Sequence, residues 1–131
     1  MSDAAERWQY FRECSPQKRR RMLKKSFAFC IDDIGAGWEY IHFELSGETV
    51  SSFRVSYIGP GVRAFAETVE NLKEKENTEF VFMDEPGEHI VFLSRRNDKI
   101  YVELPGMEEG FFQRYAVFRD KITEEFRKYY S

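Results

Sequence analysis

Apolar residues between Phe27 and Leu104 recur mostly at every second position, and one stretch in the middle breaks that spacing with a recurrence of three or four. A period of two belongs to a strand with one face on a core. A period near 3.6 belongs to a helix that buries one stripe, so the order of periods sets the order of elements. Phe27, Phe29 and Ile31 alternate with Ala28 and Cys30 and predict a strand that stops at the loop residues Asp32-Asp33-Ile34-Gly35-Ala36-Gly37. Trp38, Tyr40 and His42 alternate with Ile41, Phe43 and Leu45 in a second strand, and Ser46-Gly47-Glu48 supplies the next turn. Val50, Phe53, Val55 and Tyr57 form a third, closed by Gly59-Pro60-Gly61. Val62, Phe65, Ala66, Val69 and Leu72 then carry the helical stripe.

The second half runs through the same order without matching residues that would mark a repeat. Strands are predicted at Thr78–Met83, His89–Leu93 and Ile100–Leu104, separated by the turn Asp84-Glu85-Pro86-Gly87-Glu88 and the hairpin loop Arg96-Asn97-Asp98-Lys99. After Pro105-Gly106, the residues Phe111, Tyr115, Phe118, Ile122, Phe126 and Tyr129 predict a last helix. Ahead of all this, Trp8 and Phe11 share a helical face in Ala4–Cys14, and Ser15-Pro16 opens a second, basic helical turn. The expected architecture is α+β, a largely antiparallel sheet of about six strands in the order β-β-β-α-β-β-β-α with helices packed on it. Residues 1–25 form an N-terminal basic helical segment, packed on the body or free of it, and residues 26–131 form a single domain. The 131 residues suit one core, and 13 Phe, 7 Tyr and 2 Trp fill it.

Charge is divided between these parts. Residues 1–25 hold eight basic and three acidic side chains, whereas residues 26–131 hold twelve basic and twenty acidic. An acidic body repels phosphate backbones and attracts basic proteins in a salt-dependent way, which disfavours nucleic-acid binding by the core. Lys18, Arg19, Arg20, Arg21, Lys24 and Lys25 are the one cluster able to neutralise several phosphates; docking on the acidic body or a solvated face accounts for it equally well. Asp32, Asp33, Asp84, Glu85 and Glu88 fall at element ends, and together they form a partner-binding surface if their loops meet.

Motifs for chemistry are sparse. Of the two histidines, His42 lies in a strand pattern and His89 follows a turn, and neither has a partner at metal-ligand spacing in the sequence. Cys14 and Cys30 lack CxxC spacing and read as reduced thiols. Gly59-Pro60-Gly61 before a helix lacks the Lys-Ser/Thr of a phosphate loop. No catalytic residue, metal or cofactor is expected. No apolar run nears the roughly 20 residues of a membrane span, and the opening MSDAAERWQYF lacks the order of a secretory signal, so a cytoplasmic location is expected.

Residues 50–104 combine a strand ending in Val55-Ser56-Tyr57-Ile58-Gly59, an amphipathic helix, a strand, and Asp84-Glu85-Pro86-Gly87-Glu88 leading into the hairpin Ile90–Leu104. This organisation resembles that of immunity proteins from bacterial polymorphic and contact-dependent toxin systems. The resemblance implies a protein that binds and blocks a cognate toxin domain. It carries over no catalytic or binding residue and leaves out the basic N-terminal segment. Two further readings stand beside it: a small enzyme or ligand-binding domain whose sheet–helix pocket holds Tyr40, His42, Tyr57 or His89, and a nucleic-acid accessory protein using residues 18–25.

Overall fold

The computed structural model describes residues 4–56, 59–84 and 87–130. Its elements are α1 (Ala4–Glu13), α2 (Pro16–Leu23), β1 (Phe27–Gly35), β2 (Trp38–Leu45), β3 (Glu48–Ser56), α3 (Val62–Glu70), β4 (Asn77–Asp84), β5 (Gly87–Arg96), β6 (Lys99–Glu103), β7 (Phe111–Arg114) and α4 (Tyr115–Tyr130). The α+β architecture, the antiparallel pairing and the N-terminal helices are as read from the sequence. The strands divide into two sheets, β1-β2-β3 and β4-β5-β6-β7.

Tight turns fix the registers. Gly35 pairs with Trp38 and Leu45 with Glu48, so each hairpin turns on two residues. Ala36 and Gly37 (φ 53° and 84°), like Ser46 and Gly47 (55° and 81°), take the left-handed conformations that match the twist of the flanking strands. Several boundaries differ from the sequence reading: Asp84, Gly87 and Glu88 are paired residues of β4 and β5 instead of turn residues, and Arg96 pairs with Lys99. Asp32 and Asp33 lie inside β1, where the register shifts between Ile31 and Asp33, instead of in a loop. Phe111–Arg114 pairs with β6 as a seventh strand, and the last helix starts only at Tyr115. Phe111 and Tyr115 are four apart, so a continuous helix would put both on one face; pairing with β6 overrides that spacing.

The inner faces of both sheets close on α3 and α4. Phe43, Phe65 and Phe82 are fully buried at the centre, with ring centroids 6.1 Å and 5.0 Å apart for the Phe43–Phe65 and Phe65–Phe82 pairs. Phe27 joins the end of this cluster to α4 through Phe118, 4.9 Å away. Such edge and tilted ring contacts add about 0.5–1.5 kcal/mol each beyond the area they bury. β3 lies beside β4 although the two belong to different sheets, and Phe53 meets Phe82 there at 5.3 Å.

The N-terminal helices cover the outer face of the second sheet. Trp8, Phe11 and Leu23 form a separate buried cluster with Phe92, Tyr101 and Phe112. The indole N–H of Trp8 donates to Ser94 Oγ at 2.8 Å, and Ser94 in turn donates to Asn77 Oδ1 at 2.6 Å. Of the two arrangements the sequence left open for residues 4–25, the packed one is observed.

Candidate functional site

With α3 and α4 inside and α1 and α2 behind the second sheet, the outer face of β1-β2-β3 gathers polar and aromatic side chains. Along β2, Glu39, Ile41 and Phe43 point inward and are buried, while Tyr40, His42 and Glu44 point outward. The register sets Tyr40 between Asp33 on β1 and Arg54 on β3, and His42 between Cys30 and Ser52. Asp32, Asp33, Tyr40, Ser52, Phe53 and Arg54 line an open, shallow concavity of about 540 Å³. Tyr40 is 42% exposed within it, which is high for so large an aromatic side chain.

Arg54 connects this face to the second sheet. Its guanidinium sits over the Trp38 ring at 4.0 Å, and its Nε donates to Asp84 Oδ1 at 2.8 Å. His89 Nε2 lies 3.3 Å from the other oxygen of Asp84, and its ring stacks on Phe53 at 4.2 Å. The hydrogen bond from Arg54, reinforced by His89, holds the Asp84 carboxyl below the ordinary carboxylate range. The same bond raises the Arg54 pKa.

A second polar group lies one register step along. His42 Nδ1 lies 2.8 and 2.9 Å from the two oxygens of Asp32, and its Nε2 lies 2.7 Å from Glu44 Oε2. Burial opposes a charge on His42, but the two carboxylates outweigh it and raise its pKa; the imidazolium satisfies both contacts. Cys30 stands directly opposite, its thiol pushed up by burial first and then by Glu125, Glu44 and Asp32. One ligand atom from each of Cys30, His42 and Glu44 falls within 4.8 Å of the others.

The sequence-predicted residues are only partly brought together. Asp32 and Asp33 line the concavity, with Asp32 engaged by His42 and Asp33 accepting the N–H of Ile34. Asp84 meets the same face through Arg54, Glu88 is exposed on β5, and Glu85 lies outside the described residues. Of the pocket candidates, Tyr40 and His42 share the outer face, His89 packs on Phe53 across the sheet boundary, and Tyr57 lies outside the described residues. An imidazole, a thiol and carboxylates do converge, on an open sheet face. In the basic cluster, Arg19 donates to the carbonyls of Arg12 and Cys14 at the end of α1, and Lys18 lies over the Tyr10 ring. Arg20, Arg21, Lys24 and Lys25 are exposed.

The helix start at Gly59-Pro60-Gly61 is met by a carboxyl group of the chain itself. Glu39, 4% exposed, accepts the N–H of Val62 with Oε1 at 3.2 Å and the hydroxyl of Tyr130 with Oε2. Sequence reasoning missed Glu39, Glu44 and Arg54 as members of polar clusters. Alternation in β2 was the available signal for Glu44, which shares the parity of Tyr40 and His42. Arg54 had none, because its partner sits on the other sheet.

No protein-family model, curated protein or solved structure matches this chain.

Proposed function

We propose that the chain is a non-catalytic protein-binding domain that engages a basic partner through the outer face of β1-β2-β3, as an immunity protein engages its toxin. The observation that carries this reading is Tyr40, 42% exposed on a sheet face between Asp33 and Arg54 and beside Asp32. A rigid aromatic presented on a strand loses little side-chain entropy on docking, and tyrosine is enriched among residues that dominate interfaces. The surrounding acids add selectivity for a positive surface and speed association. The excess of eight negative charges over residues 26–131 acts in the same direction over a longer range.

The test is a titration of the purified chain against the protein encoded beside it, at two salt concentrations. A complex whose affinity falls with salt, weakens about 30-fold or more in Tyr40→Ala, and weakens again in Asp33→Lys supports the reading. Tyr129→Ala, at an exposed aromatic on α4, serves as the control and leaves affinity unchanged. Absence of a complex, or a complex indifferent to Tyr40 and Asp33, overturns it.

A further inference from the structure

We infer that Cys30, His42 and Glu44 form a binding site for one zinc-class divalent cation, with Asp32 as the residue that positions the imidazole. Hairpin geometry places the three ligands together. Cys30 and His42 are direct cross-strand partners, and Glu44 follows His42 by two on the same face of β2. Their ligand atoms already lie within 4.8 Å of one another. A tetrahedral ion with bonds of about 2.0–2.3 Å holds its ligands roughly 3.3–3.8 Å apart. Small rotamer changes on a fixed hairpin therefore suffice, including an opening of the 2.7 Å contact between His42 Nε2 and Glu44.

Donor chemistry selects the ion. A thiolate, an imidazole and a carboxylate are the sulfur, nitrogen and oxygen donors that borderline-soft zinc accepts together, and calcium or magnesium sites are built from oxygen alone. The two anionic ligands neutralise a dication. The bulge in β1 gives the third element: it leaves Asp32 as the unpaired extra residue, and both of its carboxylate oxygens meet His42 Nδ1. A carboxylate on Nδ1–H fixes the tautomer and frees Nε2 for a metal, which is the usual support for a ligating histidine. Binding forms sulfur–metal, nitrogen–metal and oxygen–metal bonds in place of waters of the hydrated ion, and releases to solvent the protons that occupied the sulfur and Nε2. Three protein ligands leave a fourth position for water or a partner's side chain.

The experiment uses the untagged full chain and cobalt(II) as a visible stand-in for zinc. One equivalent of cobalt is expected to give a near-ultraviolet thiolate charge-transfer band and intense visible bands of tetrahedral coordination, both abolished by added zinc. Cys30→Ser removes the charge-transfer band and Cys14→Ser keeps it. Glu44→Gln, at a half-exposed position that tolerates the change, weakens cobalt binding, and Asp32→Asn weakens it about 10-fold or more while the band survives at saturation. No band at millimolar cobalt, a band that persists in Cys30→Ser, or one that disappears in Cys14→Ser overturns the site. Equal affinity in Asp32→Asn overturns the positioning role of Asp32.

Discussion

Arg54 on β3 donates to Asp84 on β4 at 2.8 Å, so an ion pair bridges two strands that belong to different sheets. Arg54 is also held over Trp38, which orients its Nε toward the carboxylate at a defined distance. The consequence for stability is pH-dependent. Asp84 ionises more readily in the folded protein than in the unfolded chain, where its pKa is about 3.9. Its contribution is complete above that range and is lost as pH falls through the lower folded-state value. Asp84→Asn is therefore expected to lower Tm slightly at pH 6, with the gap to the native protein closing as pH falls below the unfolded-chain value of about 3.9. Melting curves across pH 2–7 check this, and a gap of constant size would contradict it.

Glu39 is expected to matter for stability far more than its charge suggests. It caps α3 through Val62 and holds Tyr130 of α4, joining β2 to both inner helices. Glu39→Ala loses the cap on the buried N–H of Val62 and the link from β2 to Tyr130, a cost of about 1–3 kcal/mol. Glu39→Gln retains an acceptor and costs less. Gly61→Ala acts on the same contact, since its Cβ would stand 2.6 Å from Glu39 Oε1. Urea denaturation should show a lower midpoint at unchanged slope for all three.

The N-terminal helices are part of the folded body. Trp8→Ala removes a side chain that is 3% exposed and the donor to Ser94, at a cost of about 3–5 kcal/mol. Deletion of residues 1–25 bares Phe92, Tyr101 and Phe112 on one sheet face, and such a patch drives association. Size-exclusion chromatography of the truncated chain is expected to show aggregates; a stable monomer would contradict the packing. For the same reason, a nucleic-acid role for residues 18–25 is better examined with Arg20→Gln and Arg21→Gln than with a deletion that also removes Leu23 from its cluster.

Tyr40 and Phe53 contrast the two faces of one sheet. Phe53 touches Phe43, Phe82 and His89, whereas Tyr40 is exposed on the outer face. Phe53→Ala should cost roughly 2–3 kcal/mol, and Tyr40→Ala should stay within about 0.5 kcal/mol of the native stability. Equal losses in thermal unfolding would show that Tyr40 is a packing residue, which the proposed contact surface does not allow.

The polar clusters were hard to see in the sequence for a definite reason. Counted outward from the turn at Ala36-Gly37, a regular ladder sets Ile31 opposite His42; the bulge at Asp32 shifts the count by one and sets Cys30 there instead. Nothing in the composition of Asp32-Asp33 distinguishes a bulge from the start of a loop. β7 was hidden in the same way, since four residues with three buried fit the end of a helical stripe as well as a short strand.

Local spacing alone determined the kinds of elements, their order, most hairpins and the identity of the aromatic core, because burial of one face imposes a period that neighbouring residues must obey. Tertiary structure decided which strands share a sheet, where the N-terminal helices dock, and which charged side chains meet. Those outcomes depend on contacts such as Trp8–Ser94 and Arg54–Asp84, 86 and 30 residues apart, which no period within a strand or helix records.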